Sequence, residues 1–518
     1  MTANVETGLL GIDVGTSGVK VVLCDEKGVC HAQTTREYPF QQPRPGYVEQ
    51  DPDVWWRETA LAIRDVIRAA GVEPAAIKGI GLTGQMHSLV LLDKAGKVIR
   101  PAILWSDQRT QAQVDWIADH VGVEKTIQYT ANPPLTNFTA TKLLWVRDEE
   151  PENYARIDKV LLPKDYIRYR LTGAFATDVS DASGMLLLDV EKRCWSKEMC
   201  AALDVPTAWL PEVYESINVT GEVSSEAAQA AGLAAGTKVV AGAGDQAAGA
   251  IGNGVVRPGV VSSTIGTSGV VFAYADTIVK DPQGRLHTFC HAVPGAWHVM
   301  GVTQSAGGSL QWFRNEFAQL EQATANLIQR DPYELLALEA EKAPAGSDGL
   351  IYLPYLMGER TPHLDPLARG VFFGMTARHQ RAHFVRAIME GVAYSLQDCM
   401  QLIRDLNLPI DHVRVSGGGA RSPLWRSIQA DVFAQSVYTV QANEGPAFGA
   451  ALLAGVGSGC FATIQDACDE LIQTSGSTEA NAANQAVYQQ YHHLYGDVYR
   501  SLRSSFQALH ATVQGIEG

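Results

Sequence analysis

Several kinds of protein are excluded by what this 518-residue chain lacks. It has no run approaching eighteen apolar residues, so no membrane span is expected. The start, MTANVETGLLGIDVG, has no basic segment leading into an apolar one, so no secretory leader is expected there. No GxxxxGK[ST] occurs, which excludes a P-loop. The eight cysteines form no CxxC pair and stand at no zinc-finger spacing from histidine. His287, Cys290 and His291 sit together, but in a strand-like run, and are read as structural. Scattered, reduced thiols fit a cytoplasmic protein. Positive charge is short as well: the net charge of −15 disfavours nucleic acid and anionic membranes as partners. No long low-complexity linker appears.

What is present is a folded composition, 46% hydrophobic and 19% charged, over a length that suits two large domains. The pentapeptide GTSGV occurs twice, at 15–19 and 266–270, each time between apolar strand-like runs. That shared context reads as a duplicated unit. Around the first copy, strands are expected at Leu9–Val14 and Val19–Leu23, with a hairpin turn at Asp25–Gly28. Asp51-Pro52 reads as the start of a helix that Gly71 ends. Around the second copy, strands are expected at Val260–Ile265, Val270–Tyr274 and His298–Val302, then a helix from Ser309 and another over 380–404. A loop and a terminal helix are expected from Ser475. The pattern implies two α/β domains with mixed sheets, 1–256 and 257–518, and a ligand cleft between them.

Three segments carry candidate chemistry. A Gly-Thr-Ser turn offers consecutive N–H groups to an anion, and Asp13, two residues before the first copy, makes sense near phosphate only through Mg²⁺ and its waters. Gly417-Gly418-Gly419 follows a strand and precedes a helix, where a nucleotide can approach the backbone. Asp245, in Gly-Ala-Gly-Asp-Gln-Ala-Ala-Gly, closes an apolar strand among small residues, where a carboxylate can accept the proton of an attacking hydroxyl. The competing reading of Asp245 is a helix N-cap.

These residues resemble the FGGY carbohydrate kinases along nearly the whole chain. One family signature stands as Gly370-Val371-Phe372-Phe373-Gly374-Met375 with His383-Phe384 and Ala387-Ile388-Met389-Glu390. The other stands as Thr139-Ala140-Thr141-Lys142 through Trp145 to Glu149, with Asn137 at its first position. The resemblance implies an actin-like (ribonuclease H-like) two-domain fold and ATP-dependent phosphorylation of a sugar, with ATP and Mg²⁺. Gly84–His87, Leu104–Arg109, Leu162–Tyr166 and Leu356–Pro362 are most similar to the D-xylulose-phosphorylating members; D-ribulose and gluconate kinases share the scaffold. It further implies Asp245 as general base and Asp13 as a second catalytic residue that holds Mg²⁺ or supports the transition state, with Asp245 reaching the metal through water. Met86, His87, Trp105, Asp107, Arg109 and Gln246 would meet the sugar. Gly15, Thr16, Ser17, Gly266, Thr267, Ser268, Gly307, Gln311, Gly418, Gly419 and Ala420 would meet ATP. A homodimer is a family expectation. An actin-like ATPase that drives assembly or a conformational cycle is the alternative from another class.

Overall fold

The computed structural model describes residues 7–441 and 445–517. The stretch read against a leader peptide falls partly on residues 1–6, outside the described residues. Two seven-stranded mixed sheets organise the chain. In the first, Gly8–Val14 and Gly18–Asp25 form an antiparallel hairpin, Cys30–Glu37 extends it, and Ile77–Gly84 lies parallel to Gly8–Val14. The second repeats this plan. Gly259–Ile265 and Gly269–Ala275 form the hairpin, Trp297–Thr303 extends it, and Ile410–Gly417 lies parallel to Gly259–Ile265. The two GTSGV copies therefore occupy equivalent hairpin turns. Their registers differ: Val14 pairs with Val19, but Ile265 pairs with Gly269.

Helix signals act where the sequence places them. Asp51 caps the helix Pro52–Ala70 by accepting from the Asp53 N–H, and Gly71 ends it in the left-handed region at φ 64°. The helix Arg381–Asp405 spans the expected range. Three expectations are corrected. Thr474–Thr478 is a strand that edges the second sheet rather than a loop; the helix Ala482–Glu517 then docks on the second half through Tyr495–Tyr355 (2.6 Å) and Tyr499–Asp365 (2.8 Å) hydrogen bonds. Cys24 and Cys30 are disulfide-bonded, because the hairpin places them opposite one another, so the thiols are not all free. Asp245 is the first residue of the helix Asp245–Gly252, and Gly244 is its N-cap.

One element crosses between the halves. The small-residue helix Pro446–Ser458 lies on the first sheet, although it comes late in the chain. Glycines permit that approach: a Cβ at Gly11 would strike the Ala447 carbonyl, and one at Gly81 the Ala450 carbonyl. On its other side Gly449 meets Ala248 of the Asp245 helix. The halves are tied again by Asn132, whose amide mimics a strand neighbour. Its Nδ2 donates to the Thr288 carbonyl (2.8 Å) and its Oδ1 accepts the Thr288 N–H (3.1 Å). Among the described residues, no helix is long and apolar enough to cross a membrane.

Candidate active site

Two cavities adjoin, one between the halves and the other within the second half. The one between the halves, about 540 Å³, is lined from the first half by Asp13, Lys20, Asp245 and Gln246, and from the second by Thr264, Ser416 and Arg421 among others. Asp13 reaches it from the end of Gly8–Val14, flanked by the fully buried Ile12 and Val14, whose side chains point to the other face. Lys20 is its cross-strand partner in the hairpin. In the second copy Thr264 stands where Asp13 does and is hydrogen-bonded to Ser416 (2.7 Å), so only the first repeat keeps the carboxylate.

Burial pushes the Asp13 carboxyl up to about 6, and Lys20 partly offsets it. Asp13 Oδ1 is buried with no hydrogen-bond partner. Asp245 is pushed up to about 7, first by burial and then by the facing Asp13. Its Oδ1 accepts a long bond from Gln246 Nε2 (3.4 Å). Two carboxylates on one cavity, one with an orphaned oxygen, make a place for a cation. The same shift has a stability consequence. A carboxyl raised from 3.8 to about 7 on folding holds a proton that the unfolded chain has released, so stability falls as pH rises through that interval. Asp245→Asn removes the charge. Its melting temperature should gain on wild type between pH 4 and pH 7, then hold the gain above pH 7. A difference constant across a thermal-shift pH series would contradict the shifted pKa.

The neighbouring cavity, about 760 Å³, brings together Gly266, Thr267, Gly307, Gln311, Gly418 and Gly419. Gly418 and Arg421 line both cavities, so the two form one track. Ala420 lines the cavity that holds Asp13 and Asp245. The run after Gly417 is a tight turn, Gly418–Arg421, which precedes the helix Pro423–Phe433. The Gly266–Ser268 turn is bound to the start of the helix Gly307–Phe317: Gly307 N–H donates to the Gly266 carbonyl (2.8 Å) and Gly308 N–H to that of Thr267 (3.0 Å). Ser268 and the first turn, Gly15, Thr16 and Ser17, lie outside the lining of both cavities. Thr16 instead faces Trp105, whose indole N–H donates to its Oγ1 (2.9 Å).

Met86 and His87 follow the strand Ile77–Gly84. Met86 packs against Gly244, where an added Cβ would meet its side chain at 2.9 Å. His87 has φ 68°, a strained backbone for a residue with a Cβ. Burial pushes its imidazole down to about 3, so the ring is neutral. Nδ1 is 2.9 Å from the Gly184 carbonyl and must donate to it, which leaves Nε2 as an acceptor. Phe138 and Phe289 hold the ring from the side. Trp105 is 38% exposed, a partly open aromatic wall.

Asp107 and Arg109 are placed differently from the expectation that they frame sugar hydroxyls. Asp107 is fully buried. Its Oδ2 accepts the Val48 N–H (2.6 Å) and Arg109 Nη2 (2.7 Å), and its Oδ1 accepts the Arg109 N–H (2.9 Å). Arg109 also binds Glu49 (2.7 Å) and lies 3.9 Å over the Tyr47 ring. The pair satisfies itself and ties loops together. His287 and His291 lie in a buried aromatic stack with Phe272, Phe289 and His298. Lys20 and Arg421 were missed from sequence. Pairing the hairpin about its turn puts Lys20 opposite Asp13, and Arg421 directly follows the Gly-Gly-Gly-Ala run.

The models of the FGGY family of carbohydrate kinases match on both sides of this site, the N-terminal domain over residues 9–252 and the C-terminal domain over 261–458. A xylulose kinase of Bacillus subtilis (strain 168) is 38% identical over 501 residues, covering 97% of this chain and 98% of that protein. A xylulose kinase of Escherichia coli (strain K12) is 42% identical over 448 residues, 86% of this chain and 89% of that protein. The crystal structure of xylulose kinase from Rhodospirillum rubrum superposes with a TM-score of 0.88 at 30% identity, covering 96% of this chain and 100% of that one. The chain belongs to the FGGY family of carbohydrate kinases.

Proposed function

We propose that the protein transfers the γ-phosphoryl group of ATP to the terminal hydroxyl of D-xylulose, giving D-xylulose 5-phosphate and ADP. The observation that carries the chemistry is Asp245, a carboxylate with a pKa of about 7 on a cavity continuous with a nucleotide-sized one. A base is most useful when its pKa lies near working pH. The choice of sugar is supported by the xylulose kinases among the relatives.

In this reading Asp245 takes the hydroxyl proton and the sugar oxygen attacks phosphorus in line. The neutral His87 accepts a sugar hydroxyl at Nε2, Met86 shapes the floor, and Trp105 supplies an apolar wall. Gln246 orients the hydroxyl beside Asp245. The nucleotide lies along Gly266, Thr267, Gly307, Gln311, Gly418, Gly419 and Ala420. Ser268 contributes its N–H when the halves close. Arg421 and Lys20 face the phosphates, a clamp that an acidic protein needs locally. Asp107 and Arg109 hold the loop that carries Trp105.

The residues fit a divalent cation, which we assign as Mg²⁺. Among the described residues no three His, Cys, Asp or Glu side chains converge on a metal site. Mg²⁺ does not need one, since one or two carboxylates, waters and substrate phosphates complete its octahedron. Asp13 would hold it through its unpaired oxygen, with Asp245 reached through water. Bound there, it would neutralise charge on the phosphates. Division of the chain near residue 256 and a cytoplasmic location complete the proposal.

The test is product formation with MgATP across D-xylulose, D-ribulose, L-ribulose, L-fuculose, L-rhamnulose, gluconate and glycerol. D-xylulose should show the highest kcat/KM by about tenfold or more, the discrimination that a few hydrogen bonds provide. Preference for another sugar would keep the kinase chemistry and move the substrate.

A further inference from the structure

Behind Asp245 lies a set of ionisable side chains that the reaction above does not use. Lys164 and Arg168 come from the helix Pro163–Thr172, and Asp178 and Asp181 from around the short helix Val179–Ala182. All four are 0% exposed. Lys164 Nζ lies 2.9 Å from Asp178 Oδ1 and 2.7 Å from Asp165 Oδ1. Buried ion pairs are weak sources of stability, because desolvation offsets their attraction, so their value has to lie in the geometry they impose.

That geometry converges on one turn. Arg168 donates to the Ala241 carbonyl. Ser180 Oγ accepts the Gly244 N–H (3.1 Å) and donates to Asp178 Oδ2 (2.6 Å). Ala241 and Gly244 bracket the turn that delivers Asp245. The turn is also tight: Gly242 has φ 70°, and a Cβ there would strike the Leu82 carbonyl. Burial holds the Asp181 carboxyl well above the usual carboxylate range, and Lys164, 3.5 Å from its Oδ2, partly offsets that.

We infer that Ser180 and Asp178 are positioning residues: the chain Lys164–Asp178–Ser180–Gly244 fixes the backbone from which the Asp245 carboxylate reaches the substrate hydroxyl. This rests on Asp245 being the base. Small displacements of a reacting group lower the rate without altering binding, by up to about 100-fold for about 1 Å. Ser180→Ala should therefore lower kcat about 10- to 100-fold. KM for sugar and for ATP should stay within about twofold of wild type, the pattern of an interaction that matters at the transition state.

Ser180→Thr keeps the hydroxyl and should recover most of the rate. Ser216→Ala is the control: Ser216 Oγ donates to the same Asp178 Oδ2 (3.0 Å) but makes no bond to Gly244, so its kcat should stay near wild type. If the Ala variant does not fold, Ser180→Cys reads the same loss, since a thiol is a weak hydrogen-bonding group. Wild-type kcat in Ser180→Ala would overturn the inference. So would an equal loss in Ser216→Ala, which would mean general loosening of the cluster, or a rise in KM at constant kcat. Asp245→Asn separates the two levels. An inactive Asp245→Asn beside an unaffected Ser180→Ala leaves the base and removes the positioning role; an active Asp245→Asn removes the base itself.

Discussion

Replacing Asp245 by Asn should lower the turnover of sugar phosphorylation by about 10²- to 10⁴-fold, the range that general-base catalysis supplies. ATP binding should survive. The nucleotide cavity is built from Gly266, Thr267, Gly307, Gln311, Gly418 and Gly419, and Asp245 is not among its lining residues. Nor should the fold suffer. Asp245 is not the cap of its helix, its carboxylate is held only by Gln246, through the backbone N–H and the long side-chain bond, and its burial is a source of strain that Asn relieves. Activity, nucleotide affinity by calorimetry and melting temperature then move independently. Loss of all three together would indicate a structural aspartate.

Gly81→Val should cost stability on a comparable scale. The first sheet accepts the helix Pro446–Ser458 because Gly11, Gly81 and Gly79 leave room for the Ala447, Ala450 and Ala454 carbonyls, most tightly at the first two. Backbone cannot yield as a flexible side chain does, so overpacking there should exceed the usual range and destabilise by about 3 kcal/mol or more. The helix also touches the Asp245 helix through Gly449 and Ala248. Partial displacement would thus lower activity as well. Denaturant unfolding of the purified variant measures the effect, and a midpoint equal to wild type would show that the helix docks elsewhere.

Much of this architecture was legible because it is local. Apolar runs beside the repeated GTSGV marked both hairpins, and Asp51-Pro52 with Gly71 marked a helix at both ends. Asp245 was visible from its place after Lys238–Val240 among small residues. What stayed hidden depends on pairing across distance. Nothing near residue 446 says that its helix will lie on strands formed by residues 8–14 and 77–84. The Asp107–Arg109 pair matched a recognised segment, but only the fold shows that the two, with Glu49 and the Val48 N–H, satisfy one another within a buried knot. The Cys24–Cys30 bond and the Asp13–Lys20 pair follow from hairpin register, which is readable once the turn residues are counted out. The buried ion set behind Asp245 draws on three separated segments, 164–168, 176–181 and 216, and no single window contains it.

The most direct measurement is ADP release from MgATP by the wild-type protein, with and without D-xylulose. The account predicts slow release with ATP alone and fast, saturable release with sugar, one sugar phosphate formed for each ADP. ATP turnover that is rapid and indifferent to every sugar would contradict it, and would assign the same two-sheet scaffold to an actin-like ATPase.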